Sequence, residues 1–252
     1  MSLRLFTDID DTWMSTSRKV TPDRRATIGA TKPDGRPGSF MSPVQAELYR
    51  ILSAAADSRI PVTARSPESL HRVRLDFTGG AIVDFGATLL DAEGQIDEGW
   101  RAQMLALAEA QETARVLDEL QGRVLAHKFG VKPEQRATAG VPAFVNFRGD
   151  PGGAGRVRVV VEAELYEMGQ RAAVYLHVTD RDVAVLPKFI TKGHAVRHLV
   201  EQRGWSEDLL LGCGDSLSDC SFLADMSFAL LPKNTRALST LVQAAWSNGE
   251  LA

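Results

Sequence analysis

Leu3-Arg4-Leu5-Phe6-Thr7-Asp8-Ile9-Asp10-Asp11-Thr12 runs from a β-type apolar stretch straight into a carboxylate cluster. Three acids fall within four residues at the tip of what reads as a buried strand. Two such charges about 4 Å apart repel by roughly 4 kcal/mol at an effective dielectric of 20. The cluster persists only if a cation offsets it or one carboxyl holds a proton. Both conditions suit work on a phosphate ester, in which a metal screens the anions, one carboxylate attacks and another shuttles a proton. Alone, the stretch also fits an acidic turn capping a helix, because Asp and Thr are common turn residues. The rest of the chain has to decide.

Downstream, short β-type runs alternate with helical patterns, which predicts an α/β fold with a mostly parallel sheet. Residues 13–41 are rich in Arg, Lys, Pro, Gly and Thr, and their length predicts a functional flap or a partly ordered insertion. Ser42-Pro43 opens a helix with Leu48, Ile51, Leu52 and Ala55 on one face. Ile60-Pro61-Val62-Thr63 reads as a strand, Ser66-Pro67-Glu68 as a helix start, and Ala81-Ile82-Val83 as a further strand. Phe85-Gly86-Ala87 and a hairpin through Asp91-Ala92-Glu93-Gly94 come next.

From about 95 to 185 the pattern changes. One long helix is expected over 98–120, with Trp100, Met104, Leu107, Val116, Leu117 and Leu120 inward. Strands are expected at 123–129, 143–147, 172–178 and 182–186. Residues 157–168 fit either a helix or a strand, with helix favoured. The loop Pro151-Gly152-Gly153-Ala154-Gly155 lacks the Lys-Ser/Thr ending of a phosphate-cradling loop. A helix over 192–203, the strand Leu209-Leu210-Leu211, a Gly-rich turn and a last strand and helix complete the chain. The resulting partition is a core of 1–87 and 186–252, with a small α+β module of 88–185 inserted into it.

The 252 residues are 44% hydrophobic and 24% charged, enough for a large core with a smaller module. A net charge of −3 gives no pull toward nucleic acid or an acidic membrane. Cys213 and Cys220 lack metal-ligand spacing, and their scarcity fits a reducing compartment. The first acid stands at position 8, which leaves no room for a signal peptide's apolar stretch. No apolar run approaches the ~18 residues of a membrane span. The expectation is a cytoplasmic protein acting on a small molecule, without nucleic-acid or membrane partners and with its oligomeric state open.

Four segments sit where an α/β sheet places its active groups, just past the carboxyl ends of strands. Asp8 and Asp10 follow the first strand. Thr63-Ala64-Arg65-Ser66 precedes a helix N-terminus, so a hydroxyl and backbone N–H groups can receive phosphate oxygens. Lys192 starts a helix after Leu186-Pro187-Lys188-Phe189-Ile190-Thr191. Gly212-Cys213-Gly214-Asp215-Ser216-Leu217-Ser218-Asp219 adds two carboxylates. Each has an ordinary alternative: Thr63 as a cap, Lys192 as a solvated helix residue, Asp215 and Asp219 as turn residues. All four arising in order by chance is the poorer account.

Asp8-Ile9-Asp10-Asp11-Thr12, Thr63, Lys192-Gly193 and Gly214-Asp215 with Asp219 resemble, in order, motifs I to IV of the haloacid dehalogenase superfamily of phosphohydrolases. The insertion between Thr63 and Lys192 is similar to the C2-type cap of that superfamily. The Thr7–Trp13 stretch and the spacing of Leu186-Pro187 from Lys192-Gly193 resemble sucrose-phosphate phosphatases and related sugar-phosphate phosphatases. The resemblance implies a Rossmann-like core with an inserted cap, and a Mg²⁺-dependent phosphomonoesterase working through an aspartyl-phosphate on a small phosphorylated metabolite, with a sugar phosphate as the favoured class. It implies Asp8 as nucleophile and Asp10 as proton carrier, with Thr63, Ala64, Arg65 and Lys192 on the phosphate. It also implies Mg²⁺ at Asp8, Asp10, Asp215 and Asp219, with Asp10 acting through its carbonyl and Asp219 indirectly. A phosphomannomutase-like phosphotransferase and a phosphate-sensing module remain the rivals. Departures include Ala64 where Gly is frequent, Ser218 where Asn is frequent, and Asp11 where Gly is frequent.

Other signals carry less. His194 and His198 lie four apart on a helix with no third ligand evident, and Arg65, Arg72 and Arg74 read most simply as a solvated helix face. Arg18, Lys19, Arg24 and Arg25 in the 13–41 insertion can attract an anionic substrate. Lys128, Lys132, Asn146 and His177 are candidate sugar or anion contacts in the inserted module.

Overall fold

The computed structural model describes residues 1–25, 27–128, 130–150 and 152–247. In chain order its first part holds β1 (Leu3–Thr7), β2 (Ser15–Thr16), β3 (Thr27–Thr31), β4 (Pro37–Met41), α1 (Pro43–Ala55), β5 (Ser58–Pro61), α2 (Pro67–Leu70), β6 (Ala81–Val83) and β7 (Thr88–Leu90). The middle part holds α3 (Glu98–Ala110), α4 (Thr113–Ala126), β8 (Lys132–Thr138), β9 (Val141–Arg148), α5 (Ala154–Glu167), β10 (Val174–Val178) and β11 (Asp182–Pro187). The last part holds α6 (Lys192–Arg203), β12 (Leu209–Cys213), α7 (Cys220–Leu223), β13 (Phe228–Leu230) and α8 (Arg236–Ser247).

Two compact units result, Met1–Ile96 with Thr191–Ala252, and Asp97–Ile190. The divisions fall at 96/97 and 190/191, where the sequence reading placed them at 87/88 and 185/186. The reason lies in the strands: β7 is the antiparallel partner of β6, and β11 runs on through Pro187 beside β10.

The first unit is built on a parallel sheet in the order β13-β12-β1-β5, so the fold is α/β with a parallel centre, as the alternating pattern predicted. Strand register positions the acidic loop. Thr7 pairs with Cys213 on one side and with Pro61 on the other, so three strand ends lie level. The ladder continues one step further: the Asp8 N–H donates to the Cys213 carbonyl (2.8 Å), and the Val62 N–H donates to the Thr7 carbonyl (2.7 Å). Asp8, the Thr63 turn and the Gly214–Asp215 turn therefore leave the same edge of the sheet.

Helix α1 begins as expected, with Ser42 capping Gln45 and Gln45 returning the bond. Its buried side differs from the expected one. Tyr49 is buried and Leu52 packs on the same cluster, while Leu48 and Ile51 stay exposed. The Gln45 amide also reaches the Thr12 carbonyl at 3.1 Å, tying α1 to the acidic loop.

The described residues of the 13–41 insertion form a three-stranded antiparallel sheet, β2-β4-β3. It is anchored: Met14, Ala30 and Met41 join Leu5, Ile9, Trp13 and Tyr49 in one buried cluster. Its backbone also bonds to residues beyond α2, through Thr31 N–H to Arg72 and Arg74 N–H to Gly29. Arg72 and Arg74 thus lie on a pairing segment and not on the helix face that their spacing suggested.

In the second unit, one sheet of order β10-β11-β9-β8 packs its Val145, Phe147, Val183 and Val185 face on α4 and α5. The expected single helix over 98–120 is two. Glu112 takes a left-handed φ of 48°, which breaks the run between α3 and α4. Residues 123–126, expected to open a strand, extend α4, burying Val124 four residues after Leu120. Phe129, at the end of that expected strand, and Pro151, in the glycine-rich loop, lie outside the described residues. Residues 157–167 are helical, within α5, with Ala154, Val157, Val161 and Leu165 on the buried stripe. Strand β8 was not expected, because its Lys132–Thr138 sequence is too polar to show a strand pattern.

Candidate active site

At the level end of β12, β1 and β5, a buried ionic cluster forms around Lys192. Its ammonium donates to Asp8 Oδ1 at 2.7 Å and to Asp219 Oδ1 at 2.5 Å. All three side chains are almost fully buried, with 3%, 8% and 0% of their surfaces exposed. Carboxylate oxygens of Asp8, Asp215 and Asp219 lie within 4.8 Å of one another.

Local structure explains how each group arrives. Thr7 Oγ1 donates to the Asp8 carbonyl at 2.8 Å and itself accepts from the Trp13 indole, so a buried relay fixes the loop from below. Thr12 Oγ1 donates to Asp8 Oδ2 at 3.4 Å. Asp11 sits at φ 60°, a left-handed conformation that Asp tolerates, and is held by Ser15 (2.8 Å) and by Lys19 of the insertion. Lys192 is the first residue of α6, whose cap is Thr191, accepting from the His194 N–H at 3.1 Å.

Gly193 must be glycine. A Cβ there would stand 2.0 Å from the Ser221 carbonyl oxygen, while its N–H donates to Ser221 Oγ at 3.0 Å. Gly193→Ala is expected to destabilise the fold by roughly 1–3 kcal/mol, because backbone has to move away from the added methyl. Urea denaturation measures that loss.

Asp219 anchors the last loop. Its Oδ2 accepts from Asp215 N–H (3.1 Å), Ser216 N–H (2.8 Å) and Ser216 Oγ (2.7 Å), leaving Oδ1 to Lys192. Gly214 lets this carboxylate close in, since a Cβ would meet Asp219 Cβ at 2.6 Å.

Electrostatics follow from burial and partners. Burial opposes charge on Asp219, but Lys192 and Ser216 prevail and hold its carboxyl below the usual range. Burial also opposes the Lys192 charge, and Asp219 and Asp8 more than offset it, so the ammonium is held more firmly than usual. For Asp8 burial wins over Lys192, with Asp219, Asp215 and Asp10 adding to it, and its carboxyl is pushed up. Asp215 is pushed up to about 7, first by burial and then by Asp219 and Asp11.

A carboxyl raised in the fold keeps a proton that the unfolded chain releases. Its contribution to stability therefore falls as pH rises from the ordinary value of 3.8 to about 7. In chelating buffer the protein is expected to lose on the order of 2 kcal/mol between pH 5 and pH 8 from this half-buried group, after allowance for solvent screening. Asp215→Asn should remove about that much of the slope in denaturant titrations at the two pH values, the remainder belonging to the raised Asp8 carboxyl. A slope unchanged by the substitution would place its origin elsewhere.

The second constellation is Asp10 with Arg65. Nε and Nη2 of Arg65 donate to Oδ2 and Oδ1 of Asp10, each at 2.7 Å. Thr63 is buried, and its Oγ1 accepts from the Arg65 N–H at 3.2 Å. Behind it, Asp84 and Phe85, both left-handed, donate their N–H groups to the carbonyls of Arg65 (2.9 Å) and Thr63 (3.0 Å).

Of the residues singled out in the sequence, Asp8, Lys192, Asp215 and Asp219 thus converge on one cluster. Asp10, Thr63, Ala64 and Arg65 form its neighbour across the β1–β5 edge. The Asp10 side chain is outside the acidic cluster, because Arg65 takes it. Arg65 faces that carboxylate, where the resemblance had suggested phosphate. His194 and His198 are not part of the acidic group. Thr7, Thr12, Trp13, Ser216 and Ser221 support the site without having been singled out. Their polar spacing near Asp8 and Asp219 was the available signal.

The fold is similar to that of haloacid dehalogenase-like hydrolases. One similar structure is the sucrose-phosphatase of Synechocystis sp. PCC6803 in complex with sucrose and phosphate, at 19% identity and TM-score 0.62, covering 98% of this chain and 89% of that one. Another is a Thermoplasma acidophilum protein at 17% identity and TM-score 0.55, covering 96% and 90%. A third is the C-terminal domain of the C. albicans trehalose-6-phosphate phosphatase, at 15% identity and TM-score 0.52, covering 98% and 78%. No curated protein matches the chain by sequence. Residues 45–248 match the family described as sucrose-6F-phosphate phosphohydrolase, and the chain belongs to that family of phosphatases. Among the described residues, no helix is long and apolar enough to cross a membrane.

Proposed function

We propose that the protein is a Mg²⁺-dependent phosphomonoester hydrolase of a small sugar phosphate, with Asp8 as nucleophile. The observation that carries this reading is the buried Asp8–Lys192–Asp219 triad with Asp215 alongside, at the carboxyl edge of a parallel sheet. Family membership and the likeness to a sucrose-phosphatase support the substrate class.

A hard divalent cation fits these residues. The donors are all carboxylate oxygens, and among the described residues one ammonium is bonded into a group of three acids. Asp8 and Asp215 would hold the ion, which supplies charge neutralisation to the phosphate when bound. Asp219 holds the Asp215 loop and Lys192 in place.

In this reading Lys192 holds Oδ1 of Asp8, and Oδ2, which Thr12 steadies at 3.4 Å, attacks phosphorus. The Thr63 hydroxyl and the Ala64 N–H receive phosphoryl oxygens, where fixed donors contribute most of the protein's share of catalysis. Asp10 protonates the departing alkoxide and later takes a proton from the water that hydrolyses the aspartyl-phosphate. The unit inserted between Ile96 and Thr191 selects among substrates, while the core supplies chemistry.

The test is inorganic phosphate release from a panel of sugar phosphates, with Mg²⁺ and with chelator. Metal-dependent release from at least one hexose or disaccharide phosphate is expected. Isomerised sugar phosphate with little free phosphate would assign a mutase instead. No turnover of any ester would sink the reading.

A further inference from the structure

Arg65 stands in the turn between Thr63 and the Ser66 cap of α2, and its side chain is committed on every edge. Besides the two 2.7 Å bonds to Asp10, Nη1 reaches the Ser69 carbonyl and Oγ at 3.4 Å. Its backbone is held from both sides, by Thr63 Oγ1 at the N–H and by the Asp84 N–H at the carbonyl. The Arg65 side chain retains 15% of its surface and Asp10 48%, so the fork is braced while the carboxyl it holds keeps an open edge. A planar guanidinium paired through two parallel bonds fixes both the position and the plane of a carboxylate, which an ammonium cannot do.

We propose that Arg65 is a positioning residue for proton transfer: it orients the Asp10 carboxyl toward the leaving-group oxygen of the bound ester. The inference rests on the phosphatase reading above and deepens it. In the first half-reaction an Asp8 oxygen forms a bond to phosphorus as the bond to the ester oxygen breaks. The bonding pair stays on that oxygen, and Asp10 supplies its proton. In the second, water oxygen bonds to phosphorus, its proton passes to Asp10, and the phosphorus–Asp8 bond breaks to restore the carboxylate. Asp10 on a half-exposed loop would otherwise sample several rotamers, of which few reach that oxygen. The fork removes that freedom.

The reading sets Arg65 apart from a residue that grips phosphate. Its effect should scale with how much the leaving group needs a proton. An alkoxide leaves poorly without one, whereas p-nitrophenolate leaves as a stable anion. The experiment compares Arg65→Ala and Arg65→Lys with the unaltered enzyme on a sugar phosphate and on p-nitrophenyl phosphate, in saturating Mg²⁺. With Arg65→Ala, kcat/KM, which reports the first half-reaction, is expected to fall about 100-fold on the sugar ester and less than about 5-fold on the aryl ester. Arg65→Lys should recover part of the sugar-ester rate. In an Asp10→Asn background Arg65→Ala should cost nothing further, because it acts through the group already lost.

The ratio of the two rates does not depend on how much of a variant is folded, so partial unfolding cannot mimic the result. Equal losses of kcat/KM on both esters, or unchanged values on both, would each overturn the proposal. If the unaltered enzyme hydrolyses neither ester, the phosphatase reading fails and the positioning role falls with it. Turnover by the unaltered enzyme with the wrong ratio in the variants sinks the positioning role alone.

Discussion

Asp8→Asn is expected to cut phosphate release by about 10⁴-fold or more while leaving the fold at least as stable as before. The loss follows from chemistry: a carboxamide is not a nucleophile toward phosphorus, and no second carboxylate has the same mounting. Asp219 Oδ2 is occupied by three donors, and Asp10 is held by Arg65. Stability goes the other way because Asp8 is a carboxylate whose burial outweighs its ammonium partner. Its carboxyl is raised, so ionising it costs stability as pH climbs above the ordinary value of 3.8, and an amide bears no such cost. The Asn carbonyl can still accept from Lys192, which stays paired with Asp219. Phosphate release and a thermal melt at pH 8 on the same preparation check both halves. A variant keeping a tenth of the activity would show that another group attacks.

How the sequence disclosed this site, and where it did not, has a physical pattern. Asp8, Asp215 and Asp219 were legible because they follow the short apolar runs of β1 and β12, parallel strands that deliver such positions to one edge. Lys192 was legible instead as the start of α6 after the Leu186–Thr191 stretch. Thr63 was legible for the same reason as the three acids, although β5 stops at Pro61 and the ladder goes on through the Val62 N–H to Thr7 and the Val62 bridge to Ile82. Arg65 was seen as a basic residue, but not as the partner of Asp10. That pairing joins residues 55 apart, and its geometry depends on a turn braced by left-handed Asp84 and Phe85. Left-handed backbone at non-glycine residues leaves little trace in sequence, which is also why the break at Glu112 was missed. Helix α1 misled for another reason. Its Leu48 and Ile51 share the apolar spacing of a buried face, yet Tyr49 is the residue that packs on Trp13, with ring centroids 5.3 Å apart. Strand β8 shows the opposite failure, a strand held by pairing with β9 that its polar side chains do not announce.

Lys192→Met should be the most destabilising single change in the site, by about 3–5 kcal/mol in chelating buffer at pH 8. Methionine nearly conserves volume, so packing is not the cause. The cause is that Asp8 and Asp219, both buried, lose the cation that each is bonded to. The pH dependence identifies it. In the unaltered protein the Lys192 pKa is raised from 10.5, so the lysine's contribution is fully present below that value and fades only in stronger alkali. Asp219, held below 3.8 by Lys192 and Ser216, contributes stability above that value and loses it only in acid. Without the ammonium, burial dominates at both carboxyls and raises them. The variant should then be close to the unaltered protein near pH 5, where protons can take the place of the cation, and fall away toward pH 8. Adding Asp8→Asn to Lys192→Met removes one of the two orphaned charges and should recover more at pH 8 than Asp8→Asn gains on its own, which additive effects would not produce. Urea denaturation of the three variants at both pH values decides it. If Lys192→Met unfolds at the same urea concentration as the unaltered protein at pH 8, the ammonium is not what holds the carboxylates together, and the site must be stabilised by something other than its charges.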